Sequence, residues 1–290
     1  MKILITGACG QLGRTLMDIK DEDKHEYIFT DAFPMMEGVL ALDISDAEAV
    51  DKVVSDNDVQ VIVNCAAYTD VAKAETEEEV AFKVNAEAPG TLAKAAARTG
   101  AVLIHISTDY VFDGKTNIAY AEDAEPAPLS AYGRSKLAGE CAVIASGCHY
   151  IIIRSAWLFS RYGKNFVKTI LEKTSSQPSV KVVEDQIGTP TFAGDLAEFI
   201  MYIIDNDMLD KEGVYNYTNE GVCSWYDLAW EVCDLSGHLC DVLPCKTSDF
   251  PTGVTRPAFS VLDKTKVKQT FCIEIPHWKD SLRFCMANMA

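Results

Sequence analysis

Along the first half of the chain, short apolar runs alternate with segments of helical periodicity. Lys2–Thr6 is a brief apolar run, and Gln11–Lys20 carries Leu12, Leu16 and Ile19 at helical spacing. Glu26–Thr30 predicts a second strand ending at Asp31, and Asp46–Ser55 a helix capped by Asp46 or Ser45. Val59–Ala66 is rich in β-branched residues, as expected of a strand covered on both faces. A long helical stretch is expected from about Thr76 to Thr99, interrupted at Pro89-Gly90 and stopped by Gly100. Ala101–Ser107, Ser130–Ala145 and His149–Arg154 continue as strand, helix and strand.

Past Arg154 the rhythm loosens. Phe166–Lys173, Ala193–Ile204 and Trp225–Leu235 read as helices, and Val180–Val183 and Val214–Tyr217 as strands. The connections around Phe159–Lys164, Glu184–Phe192 and Pro244–Phe259 hold most of the remaining Gly and Pro. Strands alternating with helices of this length require right-handed crossovers and a mostly parallel sheet. The fold class is therefore α/β, a Rossmann-type doubly wound parallel sheet with a smaller C-terminal substrate-binding lobe. Residues 1–160 form the expected dinucleotide-binding domain, rejoined by about 192–218, while 161–191 and 219–290 form the lobe.

Composition narrows the function. Hydrophobic residues at 48% and charged ones at 24% are those of an ordinary globular chain, and 26 Lys+Arg against 43 Asp+Glu leave a net charge of −17. That surface repels phosphate backbones, and no basic patch offsets it, so nucleic acid is not an expected partner. The apolar runs fall far below the roughly 20 residues of a membrane helix, so no membrane partner is expected. Ten cysteines occur without a Cys-x-x-Cys pair, and the short N-terminal apolar run is not an export signal. Free thiols and a cytoplasmic location follow as expectations. His238, Cys240 and Cys245 match no standard zinc spacing, and no metal is expected.

Gly7-Ala8-Cys9-Gly10-Gln11-Leu12-Gly13 follows the first strand and opens the first helix. A glycine permits the sharp turn, another lets backbone approach a pyrophosphate, and the last lets helix and strand pack closely. The pyrophosphate then meets unpaired N–H groups at the positive end of the helix dipole. Asp31 stands 18 residues past the last glycine. A carboxylate there accepts from an adenosine ribose and favours NADH over NADPH, although Asp31 also reads as a turn residue before Pro34, which leaves the choice between the two open.

Tyr132 and Lys136 lie four residues apart on one helix face. An ammonium near a phenol favours the phenolate and suits acid–base work on an alcohol/ketone pair. The same spacing also occurs in solvated surface pairs. What favours chemistry is Ser107-Thr108-Asp109-Tyr110 at the carboxyl end of a preceding strand, where a hydroxyl can polarise a substrate carbonyl.

The chain resembles the extended short-chain dehydrogenase/reductases, and among them the dTDP-4-dehydrorhamnose reductase family. The segments that carry the likeness are Ile5–Gly13, Val63–Thr69, Ser107–Gly114, Arg154–Trp157, Gly188–Thr191 and Arg256-Pro257, with Ser107–Gly114 the most specific. The resemblance implies hydride transfer from NADPH or NADH to the C4 ketone of dTDP-4-dehydro-6-deoxy-L-mannose, giving dTDP-L-rhamnose, with Tyr132 supplying the proton. It implies Thr108, Tyr132 and Lys136 as the catalytic set, with Lys136 also on the nicotinamide ribose. Gly7, Gly10, Gln11 and Leu12 would meet the pyrophosphate region, Asp31 the ribose, and Asp43 and Ile44 the adenine. Ala66, Ala67 and Tyr68 would line the cofactor, and Thr108, Asp109 and Trp157 would sit near the sugar.

Related dehydratases place an Asp-Glu pair after the strand-end Thr. Here Asp109 is followed by Tyr110, which disfavours elimination. An epimerase or another sugar-nucleotide 4-reductase would look much the same. A non-catalytic role like that of the regulatory subunit of methionine adenosyltransferase is the alternative from another class. A homodimer is possible within the family. Three further features have open readings: Asn85 as a backbone or water ligand or a helix-kink residue, Arg256 or Lys164 as the cation for a dianionic substrate or as surface ion-pair residues, and Glu75–Glu79 as a solvated helix start.

Overall fold

The computed structural model describes residues 1–249 and 253–289. In chain order the first part contains β1 (Lys2–Thr6), α1 (Gln11–Ile19), β2 (Glu26–Asp31), β3 (Val39–Ala41), α2 (Ala47–Asp56), β4 (Val61–Asn64), α3 (Glu78–Phe82), α4 (Ala88–Thr99), β5 (Val102–Thr108), α5 (Ala131–Ile144) and β6 (His149–Ser155). There follow β7 (Leu158–Phe159), α6 (Phe166–Ser176), β8 (Ser179–Val183), β9 (Ile187–Gly188), β10 (Thr191–Phe192), α7 (Ala193–Asp205) and β11 (Gly213–Asn216). The remainder is β12 (Cys223–Ser224), α8 (Trp225–Ser236), β13 (Asp241–Cys245), α9 (Thr265–Phe271) and α10 (Trp278–Ala287).

Seven parallel strands form the central sheet in the order β11-β6-β5-β4-β1-β2-β3. Its interior strands are buried on both sides, which is why Val61–Val63 and Ile151–Ile153 read as unbroken apolar runs. One face packs Ile3, Ile5 and Val63 against α1, α7 and α9, and the other packs Leu4, Ile62 and Leu103 against α2 and α4. A separate cluster gathers Val167 and Ile170 of α6, Val180 of β8, Leu228 and Val232 of α8, and Leu282 of α10. No described helix is long and apolar enough to cross a membrane.

The break in the long helical stretch falls earlier than the Pro89-Gly90 expected from sequence. Pro89 sits in the first turn of α4, and Lys83–Glu87 forms a π turn closed by Ala88 N–H donating to the Lys83 carbonyl. Proline has no N–H to return to the Asn85 carbonyl, so the wider turn lies upstream of it. Asp46 caps α2 by accepting from the N–H groups of Glu48 and Ala49. β3, β13, α9 and α10 had no counterpart in the sequence pattern. For α10 a signal was present: the buried Trp278, Ser281, Leu282 and Cys285 recur at helical spacing.

Candidate active site

Strand register places four chain exits on one edge of the sheet. Thr6 pairs with Asn64, Asn64 with His105, and Thr108 with Ser155, so the segments after β1, β4, β5 and β6 converge there. Such carboxyl edges are where doubly wound sheets bind ligands.

Gly7 turns at φ +66°, and a Cβ there would lie 2.6 Å from both Cα and N of Ala66. Only glycine lets these two segments approach so closely. Gly10 opens α1 with no side-chain cap and no acidic residue in the first turn, which leaves an uncovered helix N-terminus for an anion. This backbone cradle fits a dinucleotide pyrophosphate. The Gln11 side chain faces elsewhere: its Oε1 accepts from Ser160 Oγ and Asn165 Nδ2, each at 3.0 Å. Its contribution to the cradle is therefore its backbone, as for buried Leu12.

The half-buried Asp31 ends β2 beside this turn. One carboxylate oxygen accepts from Cys9 N and the other from Phe33 N, both at 3.0 Å, so Asp31 fastens the glycine turn and the following bend at once. Each oxygen keeps a free acceptor position for a ribose hydroxyl. Asp43 is exposed, and hydrogen bonds from the Ser45 hydroxyl and N–H pull its carboxyl below the usual value. The neighbouring Ile44 is buried.

Ala66, Ala67 and Tyr68 follow β4 half-buried. Asn85 holds Tyr68 by both backbone groups, accepting from its N–H at 2.8 Å and donating to its carbonyl at 3.0 Å. It also donates to Ser135 Oγ at 3.0 Å, and Ser135 donates to the Tyr132 carbonyl at 2.8 Å. Asn85 thus joins the loop after β4 to α5 as a backbone ligand while itself sitting in the π turn, so it serves at the helix break as well. The acidic run does more than solvate a helix start. Glu75 accepts from Ala131 N at 2.8 Å, Glu77 from the Tyr68 hydroxyl at 2.7 Å, and Glu78 pairs with Arg134 at 2.9 Å. The Glu75 and Glu78 contacts clamp the first turn of α5, and only the folded chain brings Glu75 to Ala131.

Thr108 Oγ1 donates to Asp109 Oδ1 at 3.1 Å and accepts from Tyr110 N at 3.2 Å. Thr108 lies near enough to the Tyr132 hydroxyl to favour its ionised form. Burial pushes the Tyr132 phenol well above its ordinary value; Thr108 opposes this, while Asp109 and Tyr110 add to it. Lys136, one turn along, is 2% exposed and donates to the Ile106 carbonyl at 2.6 Å. The ammonium is engaged with backbone, and it does not lower the Tyr132 phenol as the spacing alone suggested. Burial brings Lys136 itself down to about 8, with Glu140 and Cys65 acting against that fall.

Asp109 is buried and its Oδ2 has no partner among the described residues. Burial raises its carboxyl to about 6, against the lowering influence of the nearby Ser260 and Thr108 hydroxyls. Trp157 adopts φ +49° after β6 and stacks on Trp225, ring centroids 3.5 Å apart at 9°. Arg256 donates to the Tyr110 hydroxyl at 3.3 Å, and the Tyr110 ring meets Tyr132 edge-on at 5.5 Å. Lys164 is exposed. Arg256 is therefore the cation that the fold attaches to the Thr108–Tyr132 cluster, a contact no local spacing could reveal.

A family profile described as the RmlD substrate binding domain matches residues 1–290. The chain is similar to the dTDP-4-dehydrorhamnose reductase of Aggregatibacter actinomycetemcomitans, 38% identical over 97% of each chain. Its fold is similar to the crystal structure of a dTDP-4-dehydrorhamnose reductase from Clostridium acetobutylicum, 41% identical with a TM-score of 0.92 over 99% of each chain. It is also similar to the enzyme of the same name from Bacillus anthracis solved with NADP, 33% identical with a TM-score of 0.90 over 99% of this chain and 98% of that one.

Proposed function

Because the chain belongs to the dTDP-4-dehydrorhamnose reductase family, we propose that it reduces the C4 ketone of dTDP-4-dehydro-6-deoxy-L-mannose to dTDP-L-rhamnose with NADH or NADPH. The observation that carries this reading is the gathering of strand-end Thr108 with Tyr132 and, one turn along α5, Lys136, whose ammonium bonds the Ile106 carbonyl, at the sheet edge that also bears the glycine cradle.

When bound, the nicotinamide supplies the hydride. Thr108 donates a hydrogen bond to the keto oxygen and polarises it. Tyr132, kept as a neutral phenol by burial, gives its proton to the new alkoxide. Lys136, with its ammonium on the Ile106 carbonyl, holds the nicotinamide ribose through its remaining donors. The backbone of Gly7, Gly10, Gln11 and Leu12 receives the pyrophosphate, Asp31 the adenosine ribose, and Asp43 and Ile44 the adenine, with Ala66, Ala67 and Tyr68 along the cofactor. Asp109 and Trp157 contact the sugar, and Arg256 pairs with the substrate diphosphate through its planar fork. In this reading residues 1–160 with 192–218 bind the dinucleotide, and 161–191 with 219–290 bind the sugar nucleotide. The ten cysteines are free, which suits a cytoplasmic enzyme.

The test is absorbance-monitored oxidation of NADH and of NADPH with dTDP-4-dehydro-L-rhamnose, beside Tyr132→Phe. Oxidation that requires both the sugar and the phenol is expected, with cofactor binding retained in the variant. Folded protein that binds NADH yet oxidises neither cofactor with this sugar refutes the reading.

A further inference from the structure

One turn beyond Lys136, on the same face of α5, lies a second buried charged residue. Glu140 is 2% exposed. Its carboxylate accepts from Ser107 Oγ at 2.5 Å and, bidentately, from Arg154 Nε at 2.9 Å and Nη2 at 2.7 Å. Arg154, 4% exposed on β6, also donates to the Glu122 carbonyl at 3.0 Å and lies over the Phe112 ring. Two successive turns of α5 therefore grip the last residues of β5: Lys136 holds the carbonyl of Ile106 and Glu140 holds the hydroxyl of Ser107, the residue before Thr108.

Resting on the reading that Tyr132, Lys136 and Thr108 perform the chemistry, we propose that Glu140 is a positioning residue of this site, fixing Thr108 through Ser107 and supplying the counter-charge that keeps buried Lys136 an ammonium. Among the described residues, the titratable groups that act on Lys136 or are acted on by it are Glu140 on its own helix, Cys65 after β4 and His105 on β5, with Tyr132 one turn back on the same helix face. Burial pushes the Cys65 thiol up to about 12 and the His105 ring well below its usual value, so both are uncharged near neutrality. Tyr132 is neutral for the same reason. Glu140 is left as the charge opposing the desolvation of Lys136, and Arg154 on its far side offsets the cost of burying a carboxylate.

The test measures NADH affinity by fluorescence, and turnover, across pH in the full-length protein. Wild type is expected to lose both as pH rises through about 8, where Lys136 deprotonates, and Lys136→Ala to show no such limb. Glu140→Gln keeps the shape and removes the charge, so the limb moves to lower pH by about one unit, a tenfold loss of ammonium on the alkaline side. Glu140→Gln/Arg154→Met also removes the stranded cation and carries the same test should the single variant fold poorly. Glu140→Asp keeps the charge and draws the carboxylate away from Ser107, so the limb stays and kcat falls. A limb unmoved in both Gln variants, or persisting in Lys136→Ala, overturns the inference. If wild type fails to reduce the keto-sugar yet its NADH-binding limb still moves with Glu140, the proposed reaction falls while the assignment of Glu140 stands.

Discussion

Gly188→Ala probes the substrate side of the site without touching a reacting group. A Cβ at Gly188 would lie 2.7 Å from Cε2 and Cζ2 of Trp157 and 2.9 Å from Ser260 Oγ, where ordinary contact begins at 3.4 Å. The indole must give by about 0.7 Å, and it has little room, since it stacks at 3.5 Å on Trp225 and its backbone is held at φ +49°. Overpacking of this kind costs about 1–3 kcal/mol. In a chain of this size that lowers Tm by about 2–6 °C. With Trp157 against the sugar as proposed, its displacement removes an aromatic contact worth about 1 kcal/mol, which raises the sugar-nucleotide KM about fivefold. The NADH Kd should stay constant, because the glycine cradle and Asp31 lie on other elements. Thermal melting, fluorescence titration with NADH and steady-state kinetics read these effects separately. A lowered Tm with an unchanged sugar KM would refute Trp157 as a wall of the sugar site, and equal weakening of NADH would show that the damage spreads through the fold.

Three further outcomes are expected. Asp31→Ala removes the acceptor at the end of β2, so the ratio of NADPH to NADH turnover should rise; an unaltered ratio would place the adenosine ribose elsewhere. Lys136→Ala should weaken both turnover and NADH affinity, and unchanged kinetics would remove its assignment. Asp109 has a carboxyl raised to about 6 by burial, so the stability it contributes is present below its unfolded value of about 4 and is lost as pH rises through about 6. Asp109→Asn should accordingly melt higher than wild type at about pH 8, with the gap closing near pH 4, and a gap independent of pH would contradict a buried, poorly partnered carboxylate.

The doubly wound sheet was legible because its signals are local. Strands covered on both faces must be continuously apolar, as at Val61–Val63 and Ile151–Ile153, and the helices between them carry one apolar stripe. The glycine turn was legible for a related reason: at Gly7 positive φ and the approach of Ala66 exclude any side chain. The Tyr132–Lys136 pair could be read from helical spacing together with the strand-end Ser107–Tyr110 segment. The tilt of its chemistry could not: spacing suggested a phenol lowered by the neighbouring ammonium, and the fold instead buries the phenol and turns Lys136 toward Ile106.

What the chain's local pattern determined, then, was which segments form strands and helices and where the glycine cradle, the strand-end Thr108 and the Tyr–Lys turn fall, since each depends on residues within a few positions of one another. The contacts that give the site its character join residues far apart in the chain. Glu75 reaches Ala131, Asn85 spans Tyr68 and Ser135, Arg256 reaches Tyr110, and Glu140 binds Ser107 and Arg154. Nothing in the spacing of these residues encodes the pairing. It comes from packing α5 onto β5 and the π turn, where burial then sets the protonation of Tyr132, Lys136 and Asp109 by withdrawing them from water.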